Sequence, residues 1–232
     1  MIGWCFVADD SRDRPHAGQI EECATHRECD GHTGLGAADG ALMALHRGRG
    51  SVACIVRLSE EGRAEFDPAF GANWVYATER TYLRVIDARD VLDRFAHRRA
   101  LDVAHLWNAP PLVRRYLETG DDRLRKEARR LAGHALWRSG IRTSVLGLAA
   151  EATLDALGSR NALGRAWRAD RGACDAESKR IAETGAGWAD QERHYEKRSR
   201  ERERVFEAML FDAMGVDQER WNQWVKHNGG ER

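Results

Sequence analysis

The sequence predicts an α+β fold, with a small β-rich domain over residues 1–88 and a mainly helical region over 89–232. Three observations lead there. Short apolar runs, bounded by glycine and turn clusters, fill the first part. After Asp87 the apolar residues recur every three or four positions, which is the helical period. Charged residues make up 32% of the chain and prolines number only 4, a composition that suits long solvated helices.

The elements follow in order. Ile2 to Ala8 is apolar, carries Trp4, and is too short for a stable helix. It ends at the turn cluster Asp9-Asp10-Ser11. Residues 9–36 are polar and read as loop. Asp39 to His46 fits one or two helical turns, with Ala41, Leu42 and Leu45 on one face, closed by Gly48 and Gly50. Ser51 to Leu58 (SVACIVRL) is the best strand, β-branched and bounded by Gly50 and Gly62. Trp74 to Tyr76 and Thr81 to Ile86 are further strands. In the second, period two places Leu83 and Val85 together on the core face.

Helices follow from Asp87. Val91, Leu92, Phe95, Leu101, Val103, Ala104 and Trp107 keep helical spacing, and Asp87 or Asp90 supplies an N-cap carboxylate. Asn108-Ala109-Pro110-Pro111 stops that helix and starts the next, because proline fits a first turn and not an interior. Asp121 or Asp122 caps an amphipathic helix carrying Leu124, Ala128, Leu131, Ala132, Ala135 and Leu136, which ends at Gly140. Ile141 to Leu157 turns Val145, Leu146, Ala149 and Leu154 inward. Ser159 to Met214 is mostly helix. Within it, Glu192 to Arg204 has almost no apolar face and reads as solvated helix, including the basic run from Lys197 to Arg204. Its glutamates oppose contact with phosphate. Val205, Phe206, Met209, Leu210, Phe211 and Met214 then form an apolar stripe. A last short helix carries Trp221 and Trp224, either as a partner anchor or, more often for such a pair, as a cap on the chain's own core. Trp107, Trp137 and Trp167 recur at intervals of 30 residues, and Trp137 and Trp167 are expected to be buried structural residues on successive helices.

Lys+Arg and Asp+Glu both number 37, so no global field attracts or repels nucleic acid, and only local patches remain. No apolar run approaches the ~18 residues of a spanning helix, and the start lacks the basic and apolar regions of a signal peptide. A cytoplasmic location without membrane contact is expected, with reduced thiols. The 5 cysteines are an odd count, which argues against a complete intramolecular disulfide framework.

One stretch is dense in specific residues: Ala77-Thr78-Glu79-Arg80-Thr81, then Asp90-Val91-Leu92, Phe95-Ala96, Ala100-Leu101-Asp102-Val103, His105-Leu106-Trp107 and Val113 to Asp121. It resembles an uncharacterised phage and actinobacterial family whose members join a β-rich N-terminal domain to alanine-rich, Trp-punctuated helices. The resemblance covers residues 30–130 and extends beyond them in character only. Relatives carry G-L-H-A-S before a short helix. Here the matching stretch is Gly34-Leu35-Gly36-Ala37-Ala38, so the histidine and the serine are both absent. The family name implies an architecture and no reaction.

Several chemistries can be weighed on the residues themselves. Cys23, His26, Cys29 and His32 are zinc-ligand types at three-residue intervals. A single helical turn cannot wrap four ligands around one ion, so a polar loop and no structural metal are expected. Gly34 to Gly40 lacks the preceding strand and the third-glycine position of a dinucleotide loop, so no such cofactor is expected. Walker A, G-x-S-x-G and H-E-x-x-H motifs are absent. Glu79-Arg80-Thr81 is the best site candidate. Glu79 is its candidate catalytic carboxylate, and Arg80, Tyr82 and Trp74 are candidate ligand-binding residues, since Arg pairs with phosphate and aromatic faces stack on bases. The favoured reading of Glu79 and Arg80 is nonetheless salt links that organise the sheet.

Three functions remain open. The first is a cytosolic accessory protein of phage or prophage type that binds a macromolecule, another protein first and a nucleotide or nucleic acid otherwise. The second is a nucleotide-using enzyme with ADP-ribosyltransferase-like group transfer at Glu79 and Arg80. The third is a zinc-stabilised nucleic-acid-binding module.

Overall fold

A computed structural model of the chain describes residues 2–8, 14–22, 35–59, 63–67, 72–140, 143–158 and 160–228. The fold is α+β: antiparallel strands come first and mostly helical segments follow. Two compact units form. One joins Met1–Arg89 to Arg198–Arg232, and the other is Asp90–Lys197. The C-terminal helices therefore belong to the unit that holds the sheet.

The sheet has seven strands: β1 (Ile2–Val7), β2 (Ile20–Glu22), β3 (Leu35–Ala38), β4 (Val52–Leu58), β5 (Arg63–Asp67), β6 (Ala72–Ala77) and β7 (Glu79–Asp87), in the order β2-β7-β4-β1-β3-β6-β5. A short helix, α1 (Ala41–Arg47), leaves β3. β1 is central, and alternation sends its residues to opposite faces, both buried. Trp4 and Phe6 meet the helix over Trp188–Ala213: the Trp4 ring lies 5.2 Å from Phe211, and Phe6 stacks on Phe206 at 6.1 Å. Cys5 points the other way, into a cluster with Val52, Cys54, Val56, Leu58, Ala37, Ala77 and Tyr82.

Two readings of this unit change. The loop read over 9–36 contains β2, paired with β7, and the start of β3: Leu35, Ala37 and Ala38 are buried in β3, between β1 and β6. The backbone of Leu35 to Ala38 is thus committed to neighbouring strands. In β7, Arg84 pairs with Ile55 but Tyr82 pairs with Val56, so Leu83 is an extra residue. This bulge resets the alternation. Tyr82 shares the core face with Val85, and Leu83 does not.

The helical unit is built from α2 (Arg89–Val103), a 3-10 turn (Ala104–Trp107), α3 (Pro111–Thr119), α4 (Asp122–Arg138), α5 (Val145–Ala156), α6 (Ala162–Glu183) and the first part of α7 (Trp188–Ala213); α8 (Gln218–Asn228) follows in the sheet unit. The stop and start signals act as expected. Asp87 Oδ1 accepts from the Arg89 amide at 3.1 Å. Asn108, at φ 55°, ends the 3-10 turn, and Gly120, at φ 65°, ends α3. Both lie in the left-handed region that suits asparagine and glycine. Asp121 accepts from the Arg123 amide at 3.1 Å and caps α4.

Small residues fill this unit's core. Gly147, Ala149, Ala150, Ala152, Thr153 and Ala156 are buried on α5, while Leu146, expected inward, is exposed. A β-carbon placed on Gly172 of α6 would lie 3.1 Å from that of Ala152, so the two helices approach closely. The three regularly spaced tryptophans have three different environments. Trp107 is buried, Trp167 is half-buried beneath Arg168 and Arg171, and Trp137 is 81% exposed. Trp137 is therefore not a core residue, because it lies opposite the packed face of α4. No helix among the described residues is long and apolar enough to cross a membrane.

Candidate functional site

β7 separates the residues expected to form a ligand site. Glu79 opens the strand and is exposed; its carbonyl accepts from the Ser59 amide at 3.1 Å, and its register partner on β2 is Glu22. Arg80, one residue on, points to the other face and is 8% exposed. Its Nη2 donates to the Tyr82 hydroxyl at 2.6 Å, and its guanidinium carbon sits 4.9 Å from the Tyr82 ring centre. The structure thus brings Arg80 and Tyr82 together and leaves Glu79 apart from both.

Trp74 lies elsewhere. Ile55, Trp4, Ala38 and Trp74 pair in sequence from β4 to β6, so Trp74 shares the Trp4 face and not the Cys5 face that Arg80 and Tyr82 occupy. Its own neighbours are Tyr76, with ring centres 6.2 Å apart, and Arg47, whose guanidinium lies 5.5 Å from the indole centre. Arg47 also donates to Glu65 at 3.2 Å and to the Tyr76 hydroxyl at 3.3 Å.

Near Arg80, Cys5 and Cys54 are direct cross-strand partners on the buried face. A hydrogen bond to Cys5 and burial both push the Cys54 thiol up, which disfavours a reactive thiolate. Among the described residues, no three His, Cys, Asp or Glu side chains gather as metal ligands. The Cys23, His26, Cys29 and His32 series lies outside the described residues.

On the opposite face, Trp4, Asp39, Glu207, Phe211, Trp221 and Asn222 line a cavity of about 160 Å³. That is small beside the ~300–1,000 Å³ of ligand pockets. Asp39 is already engaged, accepting from the Asn73 amide and side chain at 2.7 Å each. Glu203 of α7 accepts from the Ala41 and Leu42 amides at the start of α1, the second at 3.2 Å. Burial and then the neighbouring Glu207 push its carboxyl up to about 7. It caps a helix of the sheet unit and has a structural task. The solvated stretch read over 192–204 accordingly stops short of its end: Arg202 is buried.

The buried charges of the helical unit are also structural. Arg99 donates to Asp170 at 2.6 Å and contacts Asp102 and the Cys174 sulfur. Burial opposes its charge, but Asp170, Cys174 and Asp102 outweigh that and hold it firmly protonated. Arg165 Nε meets Asp93 at 2.9 Å.

An open, chemically distinctive surface remains on α4. Ala128 and Ala132 face the core and are fully buried. At about 100° per residue, Lys126 and Arg130 stand roughly 200° from them, and His134 and Trp137 continue the same row. All four are exposed. The helix carries Arg123, Arg125, Lys126, Arg129, Arg130 and Arg138 against only Asp122 and Glu127. Glu127 pairs with Arg130 at 2.6 Å and Asp122 with Arg125 at 3.4 Å. Among the described residues, Lys126, Arg129 and Arg138 have no carboxylate within ion-pair distance. The signal for this face was present in the sequence. Trp137 lies nine residues, or about half a turn around the axis, from Ala128, so the wheel that buries the alanines exposes the indole.

Comparison with models of known protein families, with curated proteins and with solved structures returned no match.

Proposed function

We propose that the protein works by binding a macromolecule through the exposed face of α4, as an accessory protein of the phage type that the sequence resembles, acting in the cytosol. One observation carries the reading: Trp137 is 81% exposed at the end of the row that holds Lys126, Arg130 and His134, on a helix of six cations and two carboxylates. A large indole left in water is uncommon on a surface with no partner, and Trp and Arg are enriched where partners bind. The face is convex and helical, which suits an extended or macromolecular ligand better than a small one. The nucleotide-enzyme alternative has less support, since Arg80 is buried against Tyr82 and Glu79 lies on the other side of the strand.

The test is retention from an actinobacterial lysate on the immobilised full chain, with protein and nucleic acid both quantified. The wild type should retain a macromolecule that the Lys126→Glu/Trp137→Ala double variant does not. Nothing retained, or equal retention by a folded double variant, would reject the reading.

A further inference from the structure

We infer that the α4 face binds single-stranded nucleic acid, its phosphates along the cation row and a base on Trp137. The inference rests on the macromolecule-binding reading and names its partner. Charge complementarity selects a polyanion, because the helix carries six cations against two carboxylates, with Lys126 unpaired in the row and Arg129 and Arg138 unpaired on its two flanks. Guanidinium groups are five of the helix's six cations, and their planar forks match phosphate oxygens. Arg130 and Arg123 pair with Glu127 and Asp121 only at the exposed surface. Such pairs are weak and exchange readily for a phosphate.

Geometry separates a single strand from other polyanions. Lys126, Arg130 and His134 recur every four residues, a rise of about 6 Å each, so the row to Trp137 runs about 16 Å. An extended strand can follow such a straight line. The indole at its end offers a flat π-face, which a base can stack on only when it is unpaired. In a duplex the bases are already stacked, and the indole would contribute nothing. An acidic protein would use the cations but has no base to meet the indole.

Fluorescence anisotropy with labelled dT15 and rU15 oligonucleotides on the full chain tests this, alongside a labelled duplex of the same length and polyglutamate. Either oligonucleotide should bind, and the two probes distinguish DNA from RNA. Trp137→Ala should weaken binding about tenfold, within the range of one lost base–aromatic stack. Lys126→Gln/Arg130→Gln should weaken it and flatten the dependence of log affinity on log salt by about 0.7 for each lost phosphate contact. Arg98→Gln, an exposed cation on α2, should change nothing. Thermal unfolding of each variant checks that it folds. Equal affinity for duplex or polyglutamate, an unweakened Trp137→Ala, or no oligonucleotide binding would overturn the inference. If lysate retention persists through the same face after nuclease treatment, the binding reading stands and only the nucleic-acid partner falls. If both assays are negative, both fall.

Discussion

The sheet unit and the helical unit solve the same packing problem with opposite materials. Around β1 the core is made of large rings: Trp4 against Phe211, and Phe6 stacked on Phe206. On α5 and α6 the buried residues are mostly small, among them Ala149, Ala152, Ala156, Ala166, Ala169 and Ala173. A sheet and a helix layer lie about 10 Å apart, and bulky side chains must span that gap. Two helices can instead move together until small residues touch, and each loses few side-chain atoms from water. The sheet unit should therefore be sensitive to truncation, and the helical unit to enlargement and to broken charge pairs.

Phe206→Ala tests the first half of that contrast. The ring is fully buried, and its loss should cost roughly 3–5 kcal/mol in transfer energy and cavity. Chemical denaturation of the purified chain would measure it; a loss under 1 kcal/mol would mean that the rings are not the sheet unit's main adhesive. Asp170→Ala is the counterpart in the helical unit. It leaves the buried Arg99 guanidinium without its best acceptor, a cost of roughly 3–5 kcal/mol for one partner removed from a buried pair. Arg99→Met with Asp170→Leu should recover much of that loss, because the burden is the stranded charge. Hydrogen exchange should then show the loss in α2 and α6 first.

Glu203 gives the sheet unit a dependence on pH. Its folded pKa, about 7, lies above the ordinary 4.5. Between those values the folded chain holds a proton that the unfolded chain has released, so stability falls as pH rises. At about 1.4 kcal/mol per unit, the decline approaches ~3 kcal/mol from pH 4.5 to 7. Glu203→Gln keeps an acceptor for the α1 amides and removes the titration. The variant should be more stable than wild type at pH 8 and less dependent on pH below it. Parallel stability curves for the two proteins from pH 5 to 8 would rule out Glu203 as the source. Gly172→Leu then sharpens the enlargement half. Ala152 is already 3.1 Å from where the first added carbon must go, so overpacking should cost about 1–3 kcal/mol, read as a lower unfolding midpoint.

The α+β class was legible because its signals are local. β4 is β-branched and bounded by glycines, and the caps and prolines between Asp87 and Asp121 act on their own neighbours. β3 was not legible. Leu35-Gly36-Ala37-Ala38 has little strand propensity, and its pairing with β1 and β6 comes from tertiary context. The bulge at Leu83 is likewise set by where β4 lies and leaves no mark in a period-two pattern. The stripe from Val205 to Met214 was visible, but its burial against β1 depends on a partner some two hundred residues away in sequence. In α5, reading for apolar spacing found Ala149 but favoured the exposed Leu146 over Ala150, Ala152 and Ala156, which are buried. Of the expected site, only Arg80 and Tyr82 meet. Trp74 and Glu79 are placed by strand order and alternation, and strand order cannot be read from one segment.

The smallest expected effect is the most useful, because it separates a tryptophan that packs from one that waits. Trp137 is 81% exposed and sits across the helix from Ala128 and Ala132. Removing it uncovers no core and leaves no cavity, and surface changes of that kind stay within about ±0.5 kcal/mol. Alanine also has the highest helix propensity, so Trp137→Ala should leave α4 intact and the melting temperature within about a degree or two. Trp107 is buried in the same unit, and Trp107→Ala should cost roughly 3–5 kcal/mol by the cavity argument. Side-by-side calorimetry decides between them. A large loss in Trp137→Ala would return the indole to the core and remove the surface on which both the binding face and its proposed partner depend.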